Sequence, residues 1–353
     1  MGVEVNVRQH PTPNSQFLTG VLSRFRVNWT LGFGRWKLTG ALALALALML
    51  PAAAAAQQRY AILVSGVSGG EKYAAQQQKW RMELAAFLTT NFAFPDSNIV
   101  IVDETSAGSS KATADNVRNL FGDLARRVTR EDTVFVMFVG HGTYDGIDAK
   151  FNLVGPDLSA AEWKSLFDAI SARLVVVNTT ESSFPFLEQL SRTGRVVITA
   201  TDSAQQRYAT VFAEYFIRSL ADLSSDLDKN GRISIWEAFT LASSGVKQHY
   251  EQRGQLPTER PLLDDNGDGM GKEAEAPGDD GALARTVFFN AEPQPTTGDA
   301  ERAALERQRL ALEKQLEDLK SRRGTMPEEQ YLAELERIFV ELARIAQEIR
   351  KRS

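Results

Sequence analysis

The segment TVFVMFVGHGTYDG, residues 133–146, contains a run rich in Val and Phe that leads into His141 and Gly142. Such a run is typical of a β-strand that is buried on both faces. A second apolar run, at residues 173–177, leads into NTTESS at residues 178–183. Because open α/β sheets form their sites where neighbouring parallel strands end, we predict the functional site at these two strand ends.

Strand and helix patterns alternate along the chain on both sides of this segment. Strands are predicted at residues 60–67, 98–103, 133–139, 173–178 and 195–200, and helices at residues 74–91, 113–128, 159–172, 209–223 and 236–249. This alternation predicts an α/β fold in which helix layers cover a mostly parallel sheet. Residues 251–281 are predicted to be a loop, and residues 282–289 a strand that closes the domain.

The first 56 residues have the pattern of an N-terminal extension followed by a secretory signal peptide. Arg35 and Lys37 precede an apolar stretch at residues 38–50, and small residues follow as far as Ala56. A membrane anchor would need about 20 apolar residues, which is more than this stretch contains. We therefore predict cleavage after Ala56, export to the periplasm or the medium, and no stable membrane span in the mature chain.

Charge and cysteine content exclude several classes of function. The whole chain has a formal net charge of −5, and residues 1–56 contain five Lys or Arg against one Glu, a net +4, so residues 57–353 carry −9. A chain this acidic has no electrostatic footprint for nucleic acid, and no nucleic-acid partner is expected. The chain contains 0 cysteines, which excludes disulfides, thiolate metal sites and cysteine nucleophiles.

The segment DLDKNGRISIWE, residues 226–237, fits the twelve-residue EF-hand loop. Oxygen-bearing residues occupy the ligand positions, a glycine occupies the sixth position, and an apolar residue occupies the eighth. Hard oxygen ligands in this number suit calcium, which is the cofactor that we predict. The predicted ligands are Asp226, Asp228, Asn230, the carbonyl of Arg232, Ser234 and Glu237.

A second acidic segment follows in a polar stretch that contains Gly and Pro. It offers oxygens at the same spacing, although a glycine takes the apolar eighth position. Two interpretations stay open, a second metal site and a solvated acidic loop. The candidate ligands are Asp264, Asn266, Asp268, Met270 and Glu275.

Two charged helices are predicted near the C-terminus, at residues 303–322 and 328–351, after a linker at residues 291–298. In the second helix apolar residues recur at alternating spacings of four and three, from Tyr331 to Ile349, as in a coiled-coil seam. The first helix has a similar leucine stripe, so residues 299–353 are predicted to form a helical hairpin. It could mediate self-association or capture a partner, or its two helices could pack only on each other.

Four segments in this order resemble the caspase-like fold, and in particular the legumain-type cysteine peptidases. They are YAILVSG at residues 60–66, VFVMFVGHG at 134–142, VVVNTTESS at 175–183 and RVVITAT at 195–201. The resemblance implies a caspase-like three-layer sandwich at residues 57–223. The calcium-binding region at residues 224–290 would complete this domain. It places the catalytic pair at His141–Gly142 and at Thr180 or Glu181, where the family has its cysteine.

The missing cysteine divides the functional predictions. The first is an exported, calcium-binding peptidase homologue that is catalytically inactive and binds an unknown protein or peptide partner. The alternative is a hydrolase in which His141 activates a hydroxyl nucleophile. Its nucleophile would be Thr180, Ser182 or Ser183, and Asp145 or Asp148 would orient the histidine. A third prediction is an envelope scaffold that acts through its C-terminal helices.

Overall fold

A six-stranded sheet with the order β2-β1-β3-β7-β8-β9 lies at the centre of the computed structural model, which describes residues 57–221, 223–291, 300–323 and 326–351. The first five of these strands pair in parallel, and β9 pairs antiparallel with β8. The strands of this sheet are β1 Arg59–Ser65, β2 Ile99–Val102, β3 Thr133–Val139, β7 Arg173–Asn178, β8 Arg195–Thr199 and β9 Leu262–Asp264. The predicted α/β fold with a mostly parallel sheet is confirmed.

Eight α-helices lie in the described part of the chain. Six belong to the sheet domain, namely α1 Glu71–Thr90, α2 Ala114–Arg127, α3 Ala160–Asp168, α4 Phe184–Leu190, α5 Phe212–Arg218 and α6 Ile235–Gln252. Two follow the domain, α7 Ala300–Ser321 and α8 Glu328–Lys351. Thr113 caps α2 and Ser159 caps α3 by accepting a backbone N–H at the first turn, which fixes where these helices begin.

Each face of the sheet has its own apolar core. Alternate residues of β3 point to opposite faces, as in any strand, and all seven residues of β3 are buried. Phe135 and Met137 pack with residues of α1, α5 and α6, whereas Val136 and Phe138 pack with residues of α2, α3 and α4. The sheet therefore lies between two helix layers, and β3, buried in the middle, fixes the position of His141.

The strand that closes the domain is β9, not the predicted strand at residues 282–289. Residues 284–286 form a 3₁₀ turn instead. The side chain of Asp265 stabilises the start of this turn, because its two carboxylate oxygens accept the backbone N–H groups of Gly281 and Ala284 at 2.8 Å each. Phe288 then pairs with Ser234 in an isolated bridge outside the central sheet.

A small antiparallel sheet and helix α4 follow the two strand ends and were not predicted. The sheet consists of β4 Gly142–Tyr144, β5 Ala149–Phe151 and β6 Leu158–Ser159. Strands of two or three residues are too short to show a period in the sequence. Helix α4 has only seven residues and Pro185 in its first turn, so it is too short to show a helical period in the sequence.

Helices α7 and α8 pack against each other along an apolar stripe, as the predicted helical hairpin requires. The buried residues of this stripe are Leu312, Leu316, Leu319, Tyr331, Ile338 and Ile345. Within the described ranges, no helix is both long and apolar enough to cross a membrane. The predicted signal peptide at residues 1–56 and most of the linker at residues 291–298 lie outside the described residues.

Candidate functional site at the carboxyl edge of the sheet

His141 follows β3 and is held at both ring nitrogens. Its Nδ1 lies 2.7 Å from Oε1 of Glu181, and its Nε2 lies 2.9 Å from the backbone carbonyl oxygen of Ser68. The ring of Tyr73 meets the imidazole edge-on at a centroid distance of 5.1 Å. The predicted convergence of the ends of β3 and β7 is thus present, and the loop after β1 contributes the second hydrogen bond to the ring.

The two partners of His141 fix its charge. A carboxylate and a carbonyl oxygen are both acceptors, so satisfying both contacts requires both ring nitrogens to carry protons. The hydrogen bond that Glu181 accepts from the ring raises the pKa of His141 above its ordinary value, against the opposing effect of burial. When both nitrogens donate, the ring is an imidazolium, and neither nitrogen has a lone pair that could accept a proton.

The hydroxyl groups of the 178–183 loop do not contact His141. Thr180 is fully buried, and its Oγ1 donates to Oδ1 of Asn178 at 2.8 Å. Ser182 donates to the backbone oxygen of Gln206 at 2.9 Å. Ser183 lies 3.0 Å from Oγ1 of Thr201. Each of the three predicted nucleophiles is therefore buried and engaged with a partner other than the histidine.

Gly142 lies directly against the same loop. A Cβ atom at this position would lie 2.7 Å from the backbone oxygen of Glu181 and 2.8 Å from Oγ1 of Thr180. Both distances are shorter than real Cβ contacts, so the close approach of the two strand ends requires glycine here. Of the predicted pair of His141 and Gly142, the glycine is thus explained by packing, because it lets the ends of β3 and β7 approach each other.

Neither of the two aspartates predicted to orient His141 contacts it. Oδ1 of Asp145 accepts the backbone N–H groups of Ile147 and Asp148, at 3.0 and 2.8 Å, within the β4–β5 turn. Those bonds lower the pKa of Asp145, which is exposed. The orienting carboxylate is Glu181. The sequence indicates Glu181 only as one of two positions where the family has its cysteine.

The first acidic loop brings three predicted ligands together. Asp226, Asp228 and Glu237 each offer a carboxylate oxygen, and these atoms lie within 4.8 Å of one another. Gly231 has a positive φ of 84°, as the sharp turn at the sixth position requires. The loop is closed by backbone hydrogen bonds to the same carboxylates, including Gly231 N to Asp226 Oδ2 at 2.7 Å. This arrangement could hold a metal ion.

The remaining predicted ligands of this loop have defined positions. Asn230 Oδ1 accepts the backbone N–H of Arg232 at 2.8 Å. Ser234 and Glu237 form a capping box that begins α6. The eighth residue, Ile233, hydrogen bonds through its backbone to Phe289 at 2.9 Å and to the side chain of Asn290 at 2.7 Å. The loop is therefore tied to the end of the domain.

The second acidic loop does not assemble all of its predicted ligands. Asp264, Asn266 and Asp268 lie together in a turn stabilised by backbone N–H donors, one of which comes from Met270 to Asp268 at 2.7 Å. Glu275 instead forms an ion pair with Lys247 at 2.6 Å. The sequence had offered Glu275 as the twelfth ligand, but the chain turns away before reaching it.

Asp280, which the sequence did not single out, packs against the second acidic loop. Its Oδ1 accepts the backbone N–H of Asp265 at 3.0 Å. Burial is the main reason that the pKa of Asp280 is raised to about 6. No pattern in the sequence pointed to this residue, because it lies outside the twelve-residue spacing.

A cavity of about 370 Å³ opens beside the strand ends, between the β4–β5 turn, α4 and the loop after β8. Neither His141 nor Glu181 lines it. The residues that give it polar or aromatic character are Tyr144, Asp148, Phe184, Glu188, Gln189, Asp202, Ser203 and Gln205. With three acidic side chains at its walls, the cavity suits a cationic or polar group.

Comparisons with known proteins leave the family open. No family model and no curated protein matches the sequence. Among solved structures, the crystal structure of protein GSU0716 from Geobacter sulfurreducens is similar at a TM-score of 0.41 and 14% identity. The match covers 66% of this chain and 99% of that chain. A likeness at this level carries no argument about function.

Proposed function

We propose that this chain is an exported, calcium-binding homologue of the legumain/caspase-like peptidases that has no catalytic activity and acts by binding a protein or peptide. The proposal combines the resemblance in the sequence with the geometry at the ends of β3 and β7. The chain would have the caspase-like variant of the α/β sandwich, and the helical hairpin would be the element through which chains or partners assemble.

The bonding of His141 is the observation that carries this proposal. A histidine that activates a hydroxyl must have a free lone pair near that hydroxyl. Here the ring donates to Glu181 and to Ser68, and the hydroxyl of Thr180 donates to Asn178. This geometry supports a structural cation that ties three loops together. No observation favours the hydrolase alternative over it.

Calcium is proposed for the cluster of Asp226, Asp228 and Glu237. The carboxylates meet within 4.8 Å, and carboxylate oxygens are hard ligands that suit calcium. An ion there would hold the start of α6 and, through Ile233 and Phe289, the end of the domain. Its proposed role is to stabilise the fold, with no step in catalysis.

The acidic cavity beside the strand ends is the proposed place for the partner. Asp148 and Glu188 would favour a segment that carries Lys or Arg, whereas Asp202 already pairs with Arg260 at 3.8 Å. The proposed occupant is therefore a basic peptide segment, bound next to the former catalytic edge without being cut.

Hydrolysis of a broad peptide library tests the proposal. The purified chain is incubated with the library, with and without millimolar calcium, alongside His141→Ala and Thr180→Ala. The proposal predicts no cleavage by any of the three proteins when circular dichroism shows that they are folded. Cleavage by the parent chain that both substitutions abolish would establish the hydrolase instead.

A further inference from the structure

Helix α8 has a second apolar face in addition to the one that packs on α7. Leu332, Phe339 and Val340 are large hydrophobic side chains with exposed fractions of 53%, 51% and 61%. At about 100° per residue, this face lies about 130° around the helix from the buried stripe of Tyr331, Ile338 and Ile345. The exposed face therefore plays no part in the hairpin.

The charges of α8 are arranged oppositely at its two ends. Glu328 and Glu329 lie in the first turn, and Arg350 and Lys351 lie in the last turn. Glu329 and Arg350 are exposed and fall on the same side as Phe339. A helix with this arrangement complements a second copy of itself in the antiparallel direction, since each acidic end then meets a basic end.

We propose that two copies of this chain associate through α8, antiparallel about a two-fold axis between Phe339 and Val340. In this register Phe339 of each copy lies opposite Val340 of the other, and Glu336 lies opposite the small Ala343. Glu329 of each copy lies opposite Arg350 of the other. The interface is self-complementary, as a two-fold contact requires.

The shape of the α8 surface around Leu332 is also consistent with this antiparallel register. Leu332 lies opposite Gln347 of the second copy. A shallow depression is present there, and Ala343, Gln347, Arg350 and Lys351 line it. The exposed leucine of one copy thus meets a depression on the other, once on each side of the axis.

This inference rests on the proposed role of the hairpin as an assembly element, and it names the partner as a second copy. Sedimentation equilibrium of the purified chain in millimolar calcium is the test. We expect a dimer at tens of micromolar that dissociates on dilution, because a single helix pair buries a small area. Leu332→Glu combined with Phe339→Glu should weaken association by about 100-fold or more.

A charge exchange tests the register. Glu329→Arg alone places like charges opposite each other and should weaken the dimer about five-fold. Adding Arg350→Glu to the same chain restores opposite charges and should restore the parent affinity. A parent chain that stays monomeric at high concentration would overturn the inference, as would a dimer that the changes at positions 332 and 339 leave intact.

The absence of cysteine from the sequence provides a direct test of direction. Chains with Glu336→Cys and chains with Ala343→Cys should cross-link to each other when mixed and oxidised, and much less to themselves. Glu334→Cys, exposed on another side of α8, is the control and should not cross-link. Self-cross-linking of each single variant without the mixed product would indicate parallel helices and contradict the inference.

The calcium and hydrolysis measurements keep the two proposals distinct. A monomeric chain that is silent in the hydrolysis assay and is still stabilised by calcium would retain the proposed function and lose only the dimer. A dimeric chain that cleaves peptides would retain the dimer and contradict the proposed inactive function.

Discussion

The bonds of His141 make it a half-buried residue that links three loops, and with both nitrogens donating it is a cation. Its partners Glu181 and Ser68 come from the loops after β7 and β1. The Glu181 and His141 side chains are only 12% and 19% exposed, so their ion pair is shielded from water. A histidine with a raised pKa contributes stability below its unfolded pKa of about 6.5, and this contribution is lost as the pH rises through the higher folded value.

Glu181→Gln should therefore destabilise the chain most at low pH. We expect a loss of about 1–3 kcal/mol in the free energy of unfolding at about pH 5.5, decreasing above the folded pKa of His141. Urea denaturation at several pH values measures it. Asp145→Asn, at a carboxylate that does not contact the ring, is the control. A loss that grows as the pH rises would contradict the imidazolium assignment.

Gly142 has its own prediction, based on the close approach of the two strand ends. Gly142→Ala adds a Cβ 2.7 Å from the backbone oxygen of Glu181, which cannot move aside easily. We expect a loss of about 1–3 kcal/mol in unfolding free energy, measured by urea denaturation. Gly122→Ala is the control, because the nearest atom to its Cβ would be 3.9 Å away. Since Gly122 lies inside α2, that change should be neutral or stabilising.

The sequence indicated which residues meet at this site, but not how they bond. His141 and residues 178–183 follow two apolar strands, and that placement was predictable. The contact of Glu181 with the ring depends on side-chain directions in a loop. The contact with Ser68 depends on a residue 73 positions away along the chain. Neither has a local sequence signal.

The first acidic loop and helix α6 form one element whose stability should depend on calcium. Millimolar calcium should raise the Tm of the parent chain, because an ion bound only to the folded state stabilises it by mass action. Glu237→Gln retains the capping-box acceptor but removes a ligand charge, and should abolish most of this rise. Glu275→Gln is the matched control, since Glu275 pairs with Lys247. An unchanged calcium response in Glu237→Gln would contradict the proposed site.

A buried carboxylate joins the chain after α6 to the start of α5. Glu259 is 1% exposed, and its oxygens accept the backbone N–H groups of Val211 and Phe212 and the hydroxyl of Tyr250. Burial raises the pKa of Glu259 from 4.5 to about 7. A group that binds its proton more tightly when folded lowers stability as the pH rises between these two values.

Glu259→Gln should remove this pH dependence. Between about pH 4.5 and 7 the parent chain should lose on the order of 3 kcal/mol from this group, whereas the variant should not. Thermal melts across this range provide the measurement. Glu251→Gln, at an exposed position in α6, should behave like the parent. Identical pH profiles of Glu259→Gln and the parent would show that Glu259 is already ionised when buried.

The elements that the sequence predicted are the long ones with a clear period. Strand β7 was placed at residues 173–178, its observed bounds. Strand β9 was missed because its three residues lie in a segment rich in Gly, Pro and acid. Helix α5 was expected to continue to residue 223 but ends at Arg218, where the chain enters a turn before the acidic loop.

At the scale of the molecule, the described residues form two kinds of apolar core. The sheet domain buries residues on both faces of the sheet, whereas the hairpin buries a separate stripe between its own helices. An ion pair between Arg232 and Glu313, at 3.9 Å, connects the two parts. The alternation of strands and helices predicted the first core, and the heptad spacing predicted the second. Their mutual contact had no sequence signal.

Deleting residues 299–353 should leave the sheet domain folded. We expect a change in its Tm of a few degrees, because the deletion removes an ion pair worth about 1 kcal/mol or less and a small packing contact between α7 and residues 284–286. The calcium-dependent rise in Tm should persist, and self-association should disappear. Differential scanning calorimetry with sedimentation measures all three. Aggregation or loss of the cooperative transition would show that the domain needs the hairpin to fold.

The charge of the His141 ring is the most direct test of the whole account. The chain has three histidines; burial lowers the pKa of His249 below the ordinary value, whereas the hydrogen bond to Glu181 raises that of His141, so a pH of about 6.5 separates the two. Long-range ¹H–¹⁵N NMR of the ring nitrogens at that pH, assigned with His141→Ala, should show both nitrogens of His141 protonated. A neutral His141 ring with one unprotonated nitrogen would contradict the account and make this residue available as a base.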